Sequence, residues 1–113
     1  MSSSHQEPRP VDVPLSKSSQ ASIHQLIERC IDSQRRLETA GQNLTDHMLR
    51  QRTASLLSDL RSYRRVLVEN LTERFEPDIV QESIRIVEKA LQFIASSTDE
   101  ICLIAGKECT QQN

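Results

Sequence analysis

Val80-Gln-Glu-Ser-Ile84-Arg-Ile-Val87-Glu-Lys-Ala-Leu91-Gln-Phe-Ile94-Ala-Ser-Ser-Thr98-Asp-Glu-Ile101-Cys-Leu-Ile-Ala105 is the stretch that decides the fold. Its numbered residues fall alternately four and three apart, over eight positions without a break. Residues at those spacings stack on one side of a helix, so the pattern predicts a long amphipathic helix. Pro77 stands just ahead of it. Proline suits the first turn of a helix and costs about 3 kcal/mol further in. Glu76 and Asp78 are favourable at the positive end of the helix dipole. The helix is therefore expected to start at Glu76 or Pro77 and to stop at Gly106, a natural terminator.

The same spacing recurs twice upstream. Leu49, Thr53, Leu56, Leu60, Tyr63, Leu67 and Asn70 define a helix expected from about Asp46 to Phe75. Ile23, Ile27, Cys30, Gln34, Leu37, Gly41 and Leu44 define an earlier one, widened by Leu26 and Ile31. Its start is expected between Ser19 and Ser22, because Ser22 followed by Gln25 fits a capping box. Gly41 is its expected stop, and Asn43, Thr45 or Asp46 is placed to cap the second helix. At 1.5 Å per residue the first helix would be about 30 Å long and the other two about 45 Å each. Short turns make successive helices antiparallel neighbours. The fold expected is an all-α antiparallel three-helix bundle, with coiled-coil-like crossings near 20°.

Composition agrees. The chain has 113 residues, enough for one domain. It holds two glycines, one tyrosine (Tyr63), two phenylalanines (Phe75, Phe93) and no tryptophan, too few turn and aromatic residues for a β-sandwich or barrel. Residues 1–18 carry three of the four prolines and five serines, so they read as a tail. The bundle is expected over 19–107, and 108–113 reads as a polar C-terminal tail.

The net charge is -2, which gives no pull toward nucleic acid or an anionic membrane. No run of about 18 apolar residues suggests a membrane span. No apolar segment of the secretory type is visible near Met1, so a cytoplasmic location is expected. There the odd set of Cys30, Cys102 and Cys109 reads as free thiols. Charge is uneven along the chain. From His47 to Phe75 six basic residues face three acidic ones, and from Glu76 to Glu108 three basic face seven acidic. A basic second helix beside an acidic third is the simplest reading. Arg61, Arg64 and Arg65 have no aromatic platform beside them, so they read as a solvated or salt-bridged face, not a nucleic-acid surface.

Residues Ser22–Gly41, a short turn and Leu49–Leu67 together resemble a ferritin-like helical hairpin. The similarity is to a ferritin-like helical-bundle family of uncharacterised bacterial proteins. Their first helix reads roughly Leu-x-x-Leu-Ile-x-x-x-x-Asp-x-x-x-x-(Tyr/Leu)-x-x-Ala, places held here by Ile23, Leu26, Ile27, Asp32, Leu37 and Ala40. The resemblance covers about residues 20–72. It implies a metal or oxidative-stress role, yet the Glu-x-x-His motif of di-iron bundles is absent, as is a clear fourth helix. The resemblance therefore implies a relative without the metal site.

Little in the chain carries chemistry. His24 and Glu28 are four apart and share a helix face, but supply only two ligands. His47 lies about 30 Å away by helical rise. These three are the metal candidates, and an exposed polar pair is the simpler reading of the first two. No phosphate loop, nucleophile elbow or Cys-x-x-Cys is present. No enzyme activity and no cofactor are expected. The third helix is apolar over too broad an arc for two neighbours on one side. Ile86, Phe93, Ile94, Ile101 and Leu103 are the expected contacts of a homodimer, with a protein partner as the variant. Leu56, Leu60, Val87 and Leu91 are expected in the chain's own core.

Overall fold

The computed structural model describes residues 15–73 and 75–111, the side chains of 108–111 excepted. Three helices account for most of them: α1 (Lys17–Asn43), α2 (His47–Thr72) and α3 (Pro77–Gln111). They form an antiparallel three-helix bundle. At 27, 26 and 35 residues they run about 40, 39 and 52 Å. Both links are a few residues long, so each helix must fold back on the one before it. The expected N-terminal tail falls outside the described residues over 1–14.

α1 begins earlier than the capping box at Ser22 suggested. Ser16 takes the cap instead, its Oγ accepting from the Ser19 amide at 3.1 Å. The turn this adds is held from two sides. Gln20 Nε2 donates to the Leu15 carbonyl at 2.9 Å, and Gln81 Nε2 of α3 donates to Ser19 Oγ at 2.8 Å. Residues 17 and 18, read as tail from the sequence, are therefore helix. Asp46 caps α2, its Oδ2 accepting from the Leu49 amide at 2.9 Å. Pro77 is the first residue of α3, as its fixed φ and missing N–H favour.

Neither glycine ends a helix. α1 passes through Gly41 to Asn43, and α3 passes through Gly106 to Gln111. A glycine terminates a helix by entering the left-handed region, and neither does so here. Burial of Ala40 and Leu44 on either side of Gly41 keeps that turn on the bundle. The backbone of 108–111, expected as a tail, continues α3 for the same reason: no proline or left-handed residue interrupts it.

Gly41 is thus an interior helix glycine. A Cβ built on it would sit 3.7 Å from Thr53 Cγ2, ordinary van der Waals contact. Gly41→Ala is expected to raise unfolding free energy by about 0.5–1 kcal/mol, from lower unfolded-state entropy and better helix propensity. Urea titration checks this. A loss of stability would show that α1 and α2 cannot absorb the methyl group.

All eight seam residues of α3, from Val80 to Ala105, are buried. In α2 Thr53, Leu56, Leu60, Leu67 and Asn70 are buried, with Leu49 and Tyr63 half-buried. α1 departs from its expected stripe. Its buried residues are Ser19, Ile23, Leu26, Cys30, Ser33, Leu37 and Ala40, while Ile27, Gln34 and Gly41 are only half-buried. The cause is its position. α1 packs extensively on both other helices, which touch each other much less. The Ser19, Leu26, Ser33 and Ala40 row lies toward α3, where Gln81 bonds Ser19. The Ile27, Gln34 and Gly41 row lies toward α2, where Arg64 donates to Gln34 Oε1 at 3.1 Å. A central helix needs a row for each neighbour, and a single stripe describes neither.

Among the described residues, ion pairs between helices are few and exposed. Arg36 of α1 meets Asp99 of α3 at 2.7 Å, and Arg52 of α2 meets Glu100 of α3 at 3.6 Å. The hydrogen bond to Asp99 raises the Arg36 pKa above its usual value. Exposed pairs of this kind contribute at most about 1 kcal/mol. The basic-to-acidic match of α2 and α3 therefore adds little beside the apolar seam.

Candidate interaction surface

α3 carries a second seam. Stepping each buried seam position back by one residue gives Ile79, Ser83, Ile86, Ala90, Phe93, Ser97, Glu100 and Ile104. This row repeats the four-three spacing about 100° round the helix. Ile79, Ile86 and Phe93 are exposed, at 50%, 53% and 66%, whereas Ile104 at the far end of the row is half-buried against the core. The residues between the exposed three are small, Ser83 and Ala90, both half-buried; Ser97, just beyond Phe93, is buried. Beyond lies a flanking row of Glu82, Lys89, Ser96 and Leu103, all exposed, with Leu103 at 62%.

Hydrogen bonds fix which way this seam looks. Arg52 of α2 donates to Ser97 Oγ at 3.2 Å and pairs with Glu100, so the second seam borders α2. The side of α3 toward α1 instead shows Gln81, Asp99 and Cys102. The apolar row therefore lies along the open α2–α3 side of the bundle, away from α1. α2 adds Val66, which shares the face of Arg52 fourteen residues earlier. Three exposed large apolar side chains in one row exceed the scattered exposure normal for a soluble surface.

This geometry corrects the sequence-based choice of interface residues. Ile94 and Ile101 are 2% and 0% exposed, inside the chain's own core, because both belong to the first seam. Neither is available to a second copy. Ile86, Phe93 and Leu103 remain exposed, and Ile79 joins them. Ile79 was legible in the sequence as the residue seven before Ile86.

The metal candidates do not converge. His24 and Glu28 lie exposed on α1, and His47 opens α2 near the other end of the bundle. Among the described residues no group of three or more His, Cys, Asp or Glu is placed to hold a metal ion. Cys30 is buried on the α1 seam, where desolvation pushes its thiol pKa up against the pull of Arg64 and Arg29. It behaves there as a small apolar residue. Cys102 is half-buried, its Sγ 3.8 Å from the Arg36 carbonyl it donates to. It borders a shallow groove of about 410 Å³ with Arg35, Arg36 and Thr39. Cys109 has its side chain outside the described residues.

Asn70 is a buried polar residue that the sequence marks only as a seam position. Its Nδ2 donates to the Val66 carbonyl at 2.8 Å, and its buried Oδ1 has no partner among the described residues. Thr53 and Thr98 resolve the same difficulty by donating to the carbonyls of Leu49 and Ile94. No described helix is long and apolar enough to cross a membrane.

Fold and surface together define an antiparallel three-helix bundle whose last helix has two apolar sides. Comparison of the chain with family models, curated proteins and solved structures finds no match.

Proposed function

We propose that this chain is a non-catalytic interaction module that self-associates through the outer seam of α3. The observation that carries the reading is the aligned exposure of Ile79, Ile86 and Phe93 beside α2. Covering these residues removes apolar surface from water at about 25 cal/mol per Å². The small residues between them leave room for a partner's side chains. The reading is a homodimer with no resident metal or cofactor, and no nucleic acid or membrane as ligand.

The test is the mass of the purified protein in solution, with metal content measured on the same peak. A metal-free dimer at micromolar concentration is the expected result. A monomer would overturn self-association. Stoichiometric iron, manganese or zinc would overturn the metal-free reading in favour of a ferritin-like metal protein, with His24, Glu28 and His47 the first residues to replace.

A further inference from the structure

We infer that the second copy packs antiparallel, α3 against α3, about a two-fold axis passing between Ile94 and Ala95. This rests on the self-association proposed above and specifies its geometry. Charge complementarity along the outer side of α3 carries it.

Glu100 within the second seam and Glu82, Lys89 and Lys107 on its flank are exposed charged residues. In an antiparallel pair with this axis, Lys89 faces Glu100 of the second copy, and Glu82 faces its Lys107. Two-fold symmetry makes each contact occur twice. Two of the row's three exposed apolar residues find contacts in the same register. Ile86 meets Leu103 of the second copy, and Phe93 lies over its Ser96 and Ser97, large on small.

Three competing arrangements are disfavoured on charge. Sliding the pair by one heptad in one direction sets Glu82 against Glu100 of the second copy. Sliding it by one heptad in the other sets Lys89 against Lys107. A parallel pair sets every flanking charge against its own copy and Phe93 against Phe93. Like charges placed opposite one another repel, and such contacts select register and partner orientation in helix pairs. Glu82 also bonds Arg85 at 3.2 Å and Glu100 bonds Arg52 at 3.6 Å, but both carboxylates are more than half exposed and retain capacity for a second cation.

The experiment measures dimer dissociation constants by sedimentation equilibrium for the wild-type chain, for Lys89→Glu, for Glu100→Lys and for an equimolar mixture of the two variants. Lys89→Glu turns two attractions into two repulsions, so its dissociation constant is expected to rise about tenfold. In the mixed pair the two substituted side chains face each other with opposite charge, and the unchanged Lys89 of one variant faces the unchanged Glu100 of the other. Near-wild-type affinity is therefore expected to return. A dimer unaffected by Lys89→Glu, as a parallel pair would be, overturns the antiparallel register and leaves self-association standing. So does a dimer weakened without recovery in the mixture. A wild-type chain that is monomeric at tens of micromolar overturns both.

Discussion

Phe93→Glu is expected to leave the chain monomeric at concentrations where the wild type is a dimer, with its fold intact. The side chain is 66% exposed, so its replacement opens no cavity within the bundle. Burying a phenylalanine contributes about 1.5–3 kcal/mol, and the two-fold arrangement counts that residue twice. The substitution also asks a carboxylate to leave water at the contact, which adds to the loss. Together these correspond to at least about a hundredfold weaker association, since each 1.4 kcal/mol is tenfold. Sedimentation equilibrium reads the effect, and a circular dichroism spectrum like that of the wild type separates it from unfolding. Val68→Glu is the control. Val68 is also exposed, at 43%, but follows Arg64 by four residues and so lies on the side of α2 that turns toward α1. Its replacement is expected to leave the mass unchanged. Equal loss of dimer in both variants would show that association is not confined to the outer seam of α3.

The sequence makes the first seam of α3 legible because nothing interrupts it: eight positions in strict four-three order all prove to be buried. The same rule misleads at α1. There spacing alone does not rank Ile27, Gln34 and Gly41 against Leu26, Ser33 and Ala40, and only the arrangement of two neighbours decides which row is deeper. Periodicity reports that a helix has an apolar side, but not how many helices share it. The choice of Ile94 and Ile101 for the interface has the same origin. The arc of α3 reads as too broad from spacing, yet its division into inner and outer seams depends on where α2 lies, which Arg52 reveals through Ser97 and Glu100. Gly41 and Gly106 show a further limit. A glycine permits a helix to stop, whereas buried neighbours such as Ala40 and Leu44 determine that it continues. Asn70 could be placed on the seam by counting, but its orphaned Oδ1 depends on which acceptors and donors surround it, information that no one-dimensional spacing contains.

Leu60→Ala is expected to destabilise the bundle by about 2–5 kcal/mol. Leu60 is 0% exposed at the middle of the α2 seam, in one core cluster with residues of α1 and α3. Truncation removes the transfer free energy of the lost atoms and leaves a cavity that helices fixed by neighbouring layers cannot fully close. A domain of this size is held by only about 5–15 kcal/mol, so the loss is a large fraction of the whole. Chemical denaturation of wild type and variant at one fixed protein concentration measures it, because dimerisation adds to apparent stability by mass action. Leu103→Ala supplies the comparison with the same chemical change at an exposed position. It is expected to change unfolding of the monomer by no more than about 0.5 kcal/mol while weakening association. The two leucines lie on helices of one bundle, yet Leu60 acts on folding and Leu103 on pairing. If Leu60→Ala instead cost as little as Leu103→Ala, the α2 seam would not be the core that holds α1 and α3 together. The division of α3 into an inner seam for folding and an outer seam for a second copy would then fail with it.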